Sequence, residues 1–190
     1  MVIDLIVTGA STGGPTTLLT LLKSIKKLNC PMVIAQHLPE NFTKQLASDL
    51  HTETGLNVIE GKHGLNLHPG LIVIARGGVD SFVQEDPVGN MRLQEKVPSD
   101  LLCHPSIDVL FESAAQLKKS VLGIVLTGMG SDGKLGARAI INMGNTIIAQ
   151  APETCLVDTM SKTVIEDGHA TYVLKIPEIA DVLSKWCVNR

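Results

Sequence analysis

The chain has 190 residues, of which 44% are hydrophobic and 18% are charged, and this composition fits one globular domain with a buried core. A formal net charge of -3 and an aromatic content of 3% leave neither a basic face for phosphates nor rings for base stacking, so we expect no nucleic-acid partner. No apolar run approaches the roughly 20 residues of a membrane span, and no secretory signal pattern begins the chain, so we expect a cytoplasmic protein without membrane insertion.

Short apolar runs alternate with helical patterns along most of the sequence. The runs predicted as strands are residues 2–7, 32–36, 71–75, 121–127, 146–150 and 171–174. Apolar residues at helical spacing predict helices within residues 18–28, 42–50, 107–117, 139–143 and 177–186. This alternation is typical of a parallel sheet with helices on its faces.

One segment interrupts the alternation. Residues 81–97, SFVQEDPVGNMRLQEKV, are predicted as an antiparallel hairpin that turns at residues 87–90 and is attached to the sheet or flanks it. The predicted fold class is therefore α/β, a doubly wound, mostly parallel sheet with helices on both faces and an antiparallel hairpin.

The loop GASTGG, residues 9–14, follows the first predicted strand and precedes a helix, which is where dinucleotide folds bind a pyrophosphate. The nucleotide patterns do not fit, however. Ser11 stands where the second glycine should be, the second strand ends in Gln36 and His37 in place of a carboxylate, and no GK[ST] sequence is present. We therefore expect no nucleotide cofactor.

The same loop is suited to presenting a serine hydroxyl at a helix N-terminus. Because ligands bind beyond the carboxyl ends of parallel strands, a base and a carboxylate from neighbouring loops are expected nearby. His37 follows the second strand and Asp132 follows the fourth; Asp80 and His104 are alternatives on the same face. Each of these residues also has an ordinary interpretation as a capping or turn residue, so the residues alone leave the choice open.

At these positions the sequence resembles the catalytic domain of the chemotaxis receptor methylesterases, the CheB family. The motifs that carry the resemblance are GASTGGP (9–15), QHLPENFT (36–43), HPGLIVIA (68–75), HPSIDVLFESAA (104–115) and LTGMGSDG (126–133). The resemblance implies that Ser11 is the nucleophile, His37 the general base and Asp132 the carboxylate that orients the imidazole. It further implies that Thr12 and Met129 are active-site neighbours close to the oxyanion.

The implied reaction is hydrolysis of glutamyl methyl esters on the cytoplasmic helices of methyl-accepting chemoreceptors, which releases methanol. Some members of the family also deamidate receptor glutamines. The resemblance implies no metal and no cofactor. An alternative function is that of a catalytically weak receptor-binding module in a chemosensory pathway.

Two segments depart from the family pattern. Where the family reads APG with a histidine a few residues later, this chain has ARGGVDS, so Arg76 replaces proline and Asp80 falls at the histidine position. Where a Gly-Met-Pro segment is expected, the chain has VDTMSK, residues 157–162, in which Asp158 adds a charge and the turn is expected to change. Both departures bear on substrate specificity.

We expect a single catalytic domain over residues 1–190 without a receiver domain. A stand-alone form would need another mode of control, such as a separate regulatory partner, whereas a fragment of a longer protein would not. His51, His63 and His68 have no metal-ligand spacing and are predicted to be surface residues. The chain has four scattered cysteines, with no CxxC pair, and they are predicted to be reduced and mostly buried.

Overall fold

The computed structural model describes residues 2–98 and 103–187. The strands are β1 (Leu5–Ala10), β2 (Met32–Gln36), β3 (Asn57–Glu60), β4 (Leu65–Asn66), β5 (Leu71–Ile74), β6 (Asp80–Glu85), β7 (Met91–Lys96), β8 (Val121–Val125), β9 (Thr146–Gln150) and β10 (Tyr172–Leu174). The α-helices are α1 (Gly14–Lys23), α2 (Glu40–Thr54), α3 (Ile107–Ala115), α4 (Lys134–Asn142), α5 (Thr159–Glu166) and α6 (Ile176–Trp186).

Seven strands form the central sheet, in the order β10-β9-β8-β1-β2-β5-β3, and every pair in it is parallel. Strand β1 lies between β2 and β8 and is buried at all six of its residues, as expected for a strand covered on both faces. The hairpin β6–β7 pairs with β4 in a separate three-stranded antiparallel sheet. The predicted fold class is confirmed, and the hairpin flanks the central sheet.

Two apolar layers cover the sheet. One contains leucines of α1, α2 and α6 packed against Ile6, Ile34 and Ile124 of the strands. The other contains residues of α3, α4, α5 and the hairpin packed against Val7, Val33 and Val125. The strand residues alternate between the two layers, because successive side chains of a strand point to opposite faces.

The structure differs from the predicted elements at several places. Helix α1 ends at Lys23, before Ile25 and Leu28 of the predicted helical pattern, and the short strand β4 was not predicted. Strand β1 occupies Leu5–Ala10 and not residues 2–7, because its pairing with β2 and β8 continues through Thr8 and Gly9. Strand β3, a half-buried strand at the sheet edge, was not predicted. Helix α5 was not predicted either, since the segment was compared only with the turn that the family pattern implies.

The minor predictions have mixed outcomes. His51, His63 and His68 are exposed, as predicted. All four cysteines are free, but only Cys30 and Cys187 are buried, so the prediction of mostly buried thiols was too strong. No helix in the described part of the chain is long and apolar enough to cross a membrane.

Candidate active site

Three neighbouring strands end at the same edge of the sheet and bring their loops together. Ala10, the last residue of β1, pairs with Gln36, the last of β2, and Gly9 pairs with Val125 at the end of β8. Ser11 and His37 therefore leave adjacent strands side by side, and the loop after β8 carries Asp132 to the same place. The in-register strand ends fix the starting points of Ser11 and His37, and the longer loop after β8 brings Asp132 to them.

The three side chains form a chain of hydrogen bonds. Ser11 Oγ lies 3.1 Å from His37 Nδ1, and His37 Nε2 lies 2.8 Å from Asp132 Oδ2. The histidine side chain is only 10% exposed. The roles of the two ring nitrogens depend on the tautomer: Nδ1 can accept the serine proton when the neutral imidazole carries its proton on Nε2, facing Asp132.

Asp132 is held as an anion. Besides His37, its carboxylate accepts hydrogen bonds of 2.8 Å from the amides of Ile107 and Asp108 at the start of α3, and one of 3.0 Å from Gly133. Burial by itself would raise the pKa of Asp132, but the hydrogen bonds from His37 and from the Ile107 and Asp108 amides outweigh it and hold the pKa below its usual range. The imidazole therefore faces a stable negative charge.

The backbone around Ser11 is fixed from two sides. Its amide donates to the carbonyl of Thr127 at 3.0 Å, and its carbonyl accepts a hydrogen bond of 2.9 Å from Gln36 Nε2. Gly128 approaches so closely that a Cβ there would lie 2.7 Å from the Ser11 Cβ and clash with Met160. Only a glycine allows the loop after β8 to lie against the serine.

Thr12 follows Ser11 in the same loop, and Met129 lies in the loop after β8. Within residues 2–98 and 103–187, the amides of Thr12 and Met129 have no hydrogen-bond acceptor. The Met129 residue is 72% exposed. Two unpaired backbone donors beside a serine are what an oxyanion site requires.

The segment that departs from the family pattern near Asp158 holds the loop after β8. Thr159 Oγ1 donates to the carbonyl of Gly128 at 3.1 Å and accepts from the amide of Gly130 at 3.0 Å. The charge of Asp158 is paired with Lys162 at 2.7 Å, one turn into α5. The start of α5 thus holds Gly128 and Gly130 of that loop.

The other departure places an ion pair and a carboxylate–imidazole hydrogen bond on the hairpin side of the site. Arg76 pairs with Glu95 of β7 at 3.1 Å. Asp80 and His104, the alternatives for the triad, bind each other at 2.8 Å, whereas Ser11 faces His37. The structure therefore brings Ser11, His37 and Asp132 together and places Asp80 and His104 beside them.

A cleft of about 320 Å³ opens next to the triad and is lined by His37, Asp132, Asp108 and Met129, among others. A larger groove of about 610 Å³ lies between the hairpin and α3, and its described lining includes none of the triad residues. The described residues contain no group of three or more His, Cys, Asp or Glu side chains placed to hold a metal ion. The smaller cleft borders two of the three hydrogen-bonded side chains, His37 and Asp132.

The CheB methylesterase family model matches residues 6–183. The chain belongs to the CheB methylesterase family. It is 40% identical over 176 residues to a protein-glutamate methylesterase/protein-glutamine glutaminase of Nocardioides sp., covering 92% of this chain and 48% of that protein. It is 37% identical over 179 residues to a protein of the same name in Thermotoga maritima, covering 92% of this chain and 52% of that protein.

The fold matches the crystal structure of the Thermotoga maritima CheB methylesterase catalytic domain with a TM-score of 0.92. The sequences are 34% identical in that comparison, which covers 97% of this chain and 99% of the other. The chain spans about half the length of the curated CheB relatives that it matches.

Two residues of the site were missed in the sequence. No site role was predicted for Gln36, yet its side-chain amide donates a hydrogen bond to the Ser11 carbonyl and supports that loop. Asp108 lies in the predicted helix within residues 107–117 and no site role was predicted for it, yet it lines the cleft and its amide donates a hydrogen bond to Asp132. A polar residue ending a buried strand was the available signal for Gln36, and nothing local distinguishes Asp108 from an ordinary residue of a first helical turn.

Proposed function

We propose that this chain is the catalytic part of a serine hydrolase that demethylates glutamyl methyl esters on chemoreceptors and releases methanol. The observation that carries the proposal is the hydrogen-bonded chain from Ser11 through His37 to Asp132. The names of the curated relatives support both the ester substrate and a second, glutaminase reaction on receptor glutamines.

In the first half of the reaction, Ser11 Oγ attacks the ester carbonyl while His37 Nδ1 takes the serine proton. Asp132 stabilises the imidazolium that forms, since its carboxylate lies 2.8 Å from Nε2. We infer that the amides of Thr12 and Met129, which have no acceptor among the described residues, bind the developing oxyanion. The tetrahedral intermediate collapses when His37 returns the proton to the methoxy oxygen and methanol leaves.

In the second half, water hydrolyses the glutamyl ester of Ser11. His37 takes a proton from that water and then returns a proton to Ser11 Oγ, which leaves a free glutamate on the substrate. A glutamine side chain follows the same route and releases ammonia, more slowly, because an amide has the poorer leaving group. The residues described here perform these steps by acid–base and nucleophilic chemistry.

The surroundings of the site favour a protein substrate. Met129 is 72% exposed in the cleft, and Leu156, which is 74% exposed, packs against the Gly13 position two residues after Ser11. Exposed apolar side chains at an open site are typical of a surface that contacts another protein. We infer that they contact the cytoplasmic helices of a methyl-accepting chemoreceptor, and that the protein acts in the cytoplasm.

The test is methanol release from methylated chemoreceptor membranes by the parent chain and by Ser11→Ala. We expect the variant to lose the nucleophile and with it at least about a thousandfold in rate, with the folded state retained. Ser48→Ala is the matched control, because Ser48 is an exposed serine on α2 and its loss is expected to leave the rate unchanged.

Equal release by the parent and by Ser11→Ala would exclude the serine mechanism. No release by a folded parent, with receptor binding retained, would instead support the alternative of a catalytically weak receptor-binding module.

A further inference from the structure

A second carboxylate–imidazole pair lies beside the triad. Asp80 is the first residue of β6, and its side chain is fully buried. Its Oδ1 accepts hydrogen bonds of 2.8 Å from His104 Nδ1 and of 2.9 Å from the amide of Ser106. Because a buried carboxylate is costly without partners, these contacts fix the positions of both the side chain and the backbone that it binds.

The backbone that Asp80 binds is the segment that supports Asp132. Ser106 is the N-cap residue of α3, and the two amides that follow it, of Ile107 and Asp108, each donate to Asp132 at 2.8 Å. Three consecutive amides are therefore bound by two carboxylates. A displacement of Ser106 moves the next two donors with it.

The effect of such a displacement reaches the reacting atoms in a few steps. Asp132 Oδ2 lies 2.8 Å from His37 Nε2, and the other ring nitrogen lies 3.1 Å from Ser11 Oγ. When a catalytic group is misplaced by about 1 Å, the rate falls by as much as about a hundredfold. The start of α3 therefore has to be held accurately for His37 to accept the serine proton.

We propose that Asp80 is a positioning residue for the triad: through His104 and the Ser106 amide it fixes the start of α3, whose amides hold Asp132 against His37. The kinetic part of this proposal rests on the proposed esterase function, whereas the geometry of His37 can be measured without it. A role in stability alone would lower the free energy of unfolding and leave His37 unchanged.

Three variants test the proposal. Asp80→Ala removes the acceptor for both His104 and Ser106. Asp80→Asn keeps an acceptor oxygen of the same shape but loses the charge. Asp86→Ala is the matched control, because Asp86 lies at the far end of the same hairpin. Like Asp80 it binds backbone amides, accepting hydrogen bonds from Val88 at 3.0 Å and from Asn90 at 2.9 Å.

The first readout is the pair of ¹⁵N shifts of the His37 ring, assigned with His37→Gln, which show which nitrogen carries the proton. We expect Nε2 to carry it in the parent and in Asp86→Ala, and a mixture of tautomers in Asp80→Ala. The second readout is kinetic. We expect kcat to fall about 10- to 100-fold in Asp80→Ala, with KM within about twofold of the parent value. The kcat of Asp80→Asn is expected to lie between those of the parent and Asp80→Ala.

Unchanged His37 shifts and an unchanged kcat in a folded Asp80→Ala would overturn the proposal. If that variant does not fold, the same result in Asp80→Asn overturns it. If the parent has no esterase activity, the proposed function fails, and the His37 shifts still decide whether Asp80 positions the triad.

Discussion

Asp108 and Asp132 are neighbouring carboxylates that respond in opposite ways to their surroundings. Burial raises the pKa of Asp108 to about 6; the Gly136 amide lowers it in part and the charge of Asp132 adds to the rise. The pKa of Asp132 is lowered, because hydrogen bonds from His37 and from backbone amides outweigh the effect of burial. The site therefore holds one firmly ionised carboxylate, facing His37, beside one that takes up a proton in mildly acidic solution.

The raised pKa of Asp108 makes the stability of the protein depend on pH. Because the pKa in the folded state, about 6, lies above the ordinary 3.8, Asp108 favours folding below about pH 4, and this contribution is lost as the pH rises through about 6. Asp108→Asn removes this loss and keeps an oxygen for the Gly136 amide. The shift corresponds to roughly 3 kcal/mol, reduced to about 1 kcal/mol because the side chain is partly exposed.

We therefore expect Asp108→Asn to be more stable than the parent, by about 1 kcal/mol, at about pH 8 and to lose that advantage at about pH 4. Urea denaturation of both proteins at the two pH values measures the difference. A difference that does not change with pH would contradict the assigned cause.

At the scale of elements, the close approach of α3 and α4 determines the position of the Asp132 support. Gly136 lies on α4 where a Cβ would be 2.4 Å from the Phe111 Cβ and 3.2 Å from the Asp108 Cα. Its amide also donates to Asp108 at 2.7 Å. The two helices can lie this close only because the residue at the crossing has no side chain.

Gly136→Ala is expected to force α4 away from α3. Overpacking of this kind costs about 1–3 kcal/mol of stability, and here the displacement also reaches Asp108 and the amides that hold Asp132, so kcat is expected to fall with it. Arg138→Ala, an exposed change on the same helix, is the control and is expected to alter neither quantity. Urea denaturation and methanol release measure the two effects, and a Gly136→Ala protein of parental stability would show that the helices separate freely.

The strands and helices differ in how well the sequence predicts them. The buried strands β2, β5, β8 and β9 are apolar runs with turn residues after them, and they were predicted within one or two residues. Strand β3 lies at the sheet edge beside β5, and one of its four residues is buried. The alternation of apolar and polar residues that would predict a strand is therefore weak in this segment. Helix α5 is eight residues long, and its role in holding Gly128 and Gly130 depends on a loop about thirty residues earlier in the chain.

For the whole molecule, the site draws on both layers that cover the sheet. Ser11 leads directly into α1, which packs on one face, whereas Asp132 is held by the start of α3 on the other. Helix α6 belongs to the layer of α1 but contributes no residue to the triad, and its Leu183 is fully buried. Stability and catalysis can therefore be separated at α6.

Leu183→Ala is expected to lower the free energy of unfolding by about 2–5 kcal/mol, because it removes buried methyl groups and leaves a cavity. Since the strand ends and α3 are untouched, kcat at a temperature where the variant is folded is expected to match the parent. Ser184→Ala, at the exposed neighbouring position, controls for changes in the helix itself. A loss of kcat in folded Leu183→Ala would show that the α6 layer also sets the geometry of the triad.

The sequence by itself determined most of the sheet, the hairpin and the loops in which the site lies. Buried strands and turns have local signals, namely apolar runs and the residues that favour turns. Composition and pattern left two histidines and two aspartates as candidates, and the family resemblance selected His37 and Asp132. Only the tertiary structure decided which ring nitrogen faces Ser11, which amides hold Asp132, and that Asp80 and His104 bind each other. These are contacts between residues 24 to 95 positions apart, and their distances depend on how the strands and helices pack, which no local pattern records.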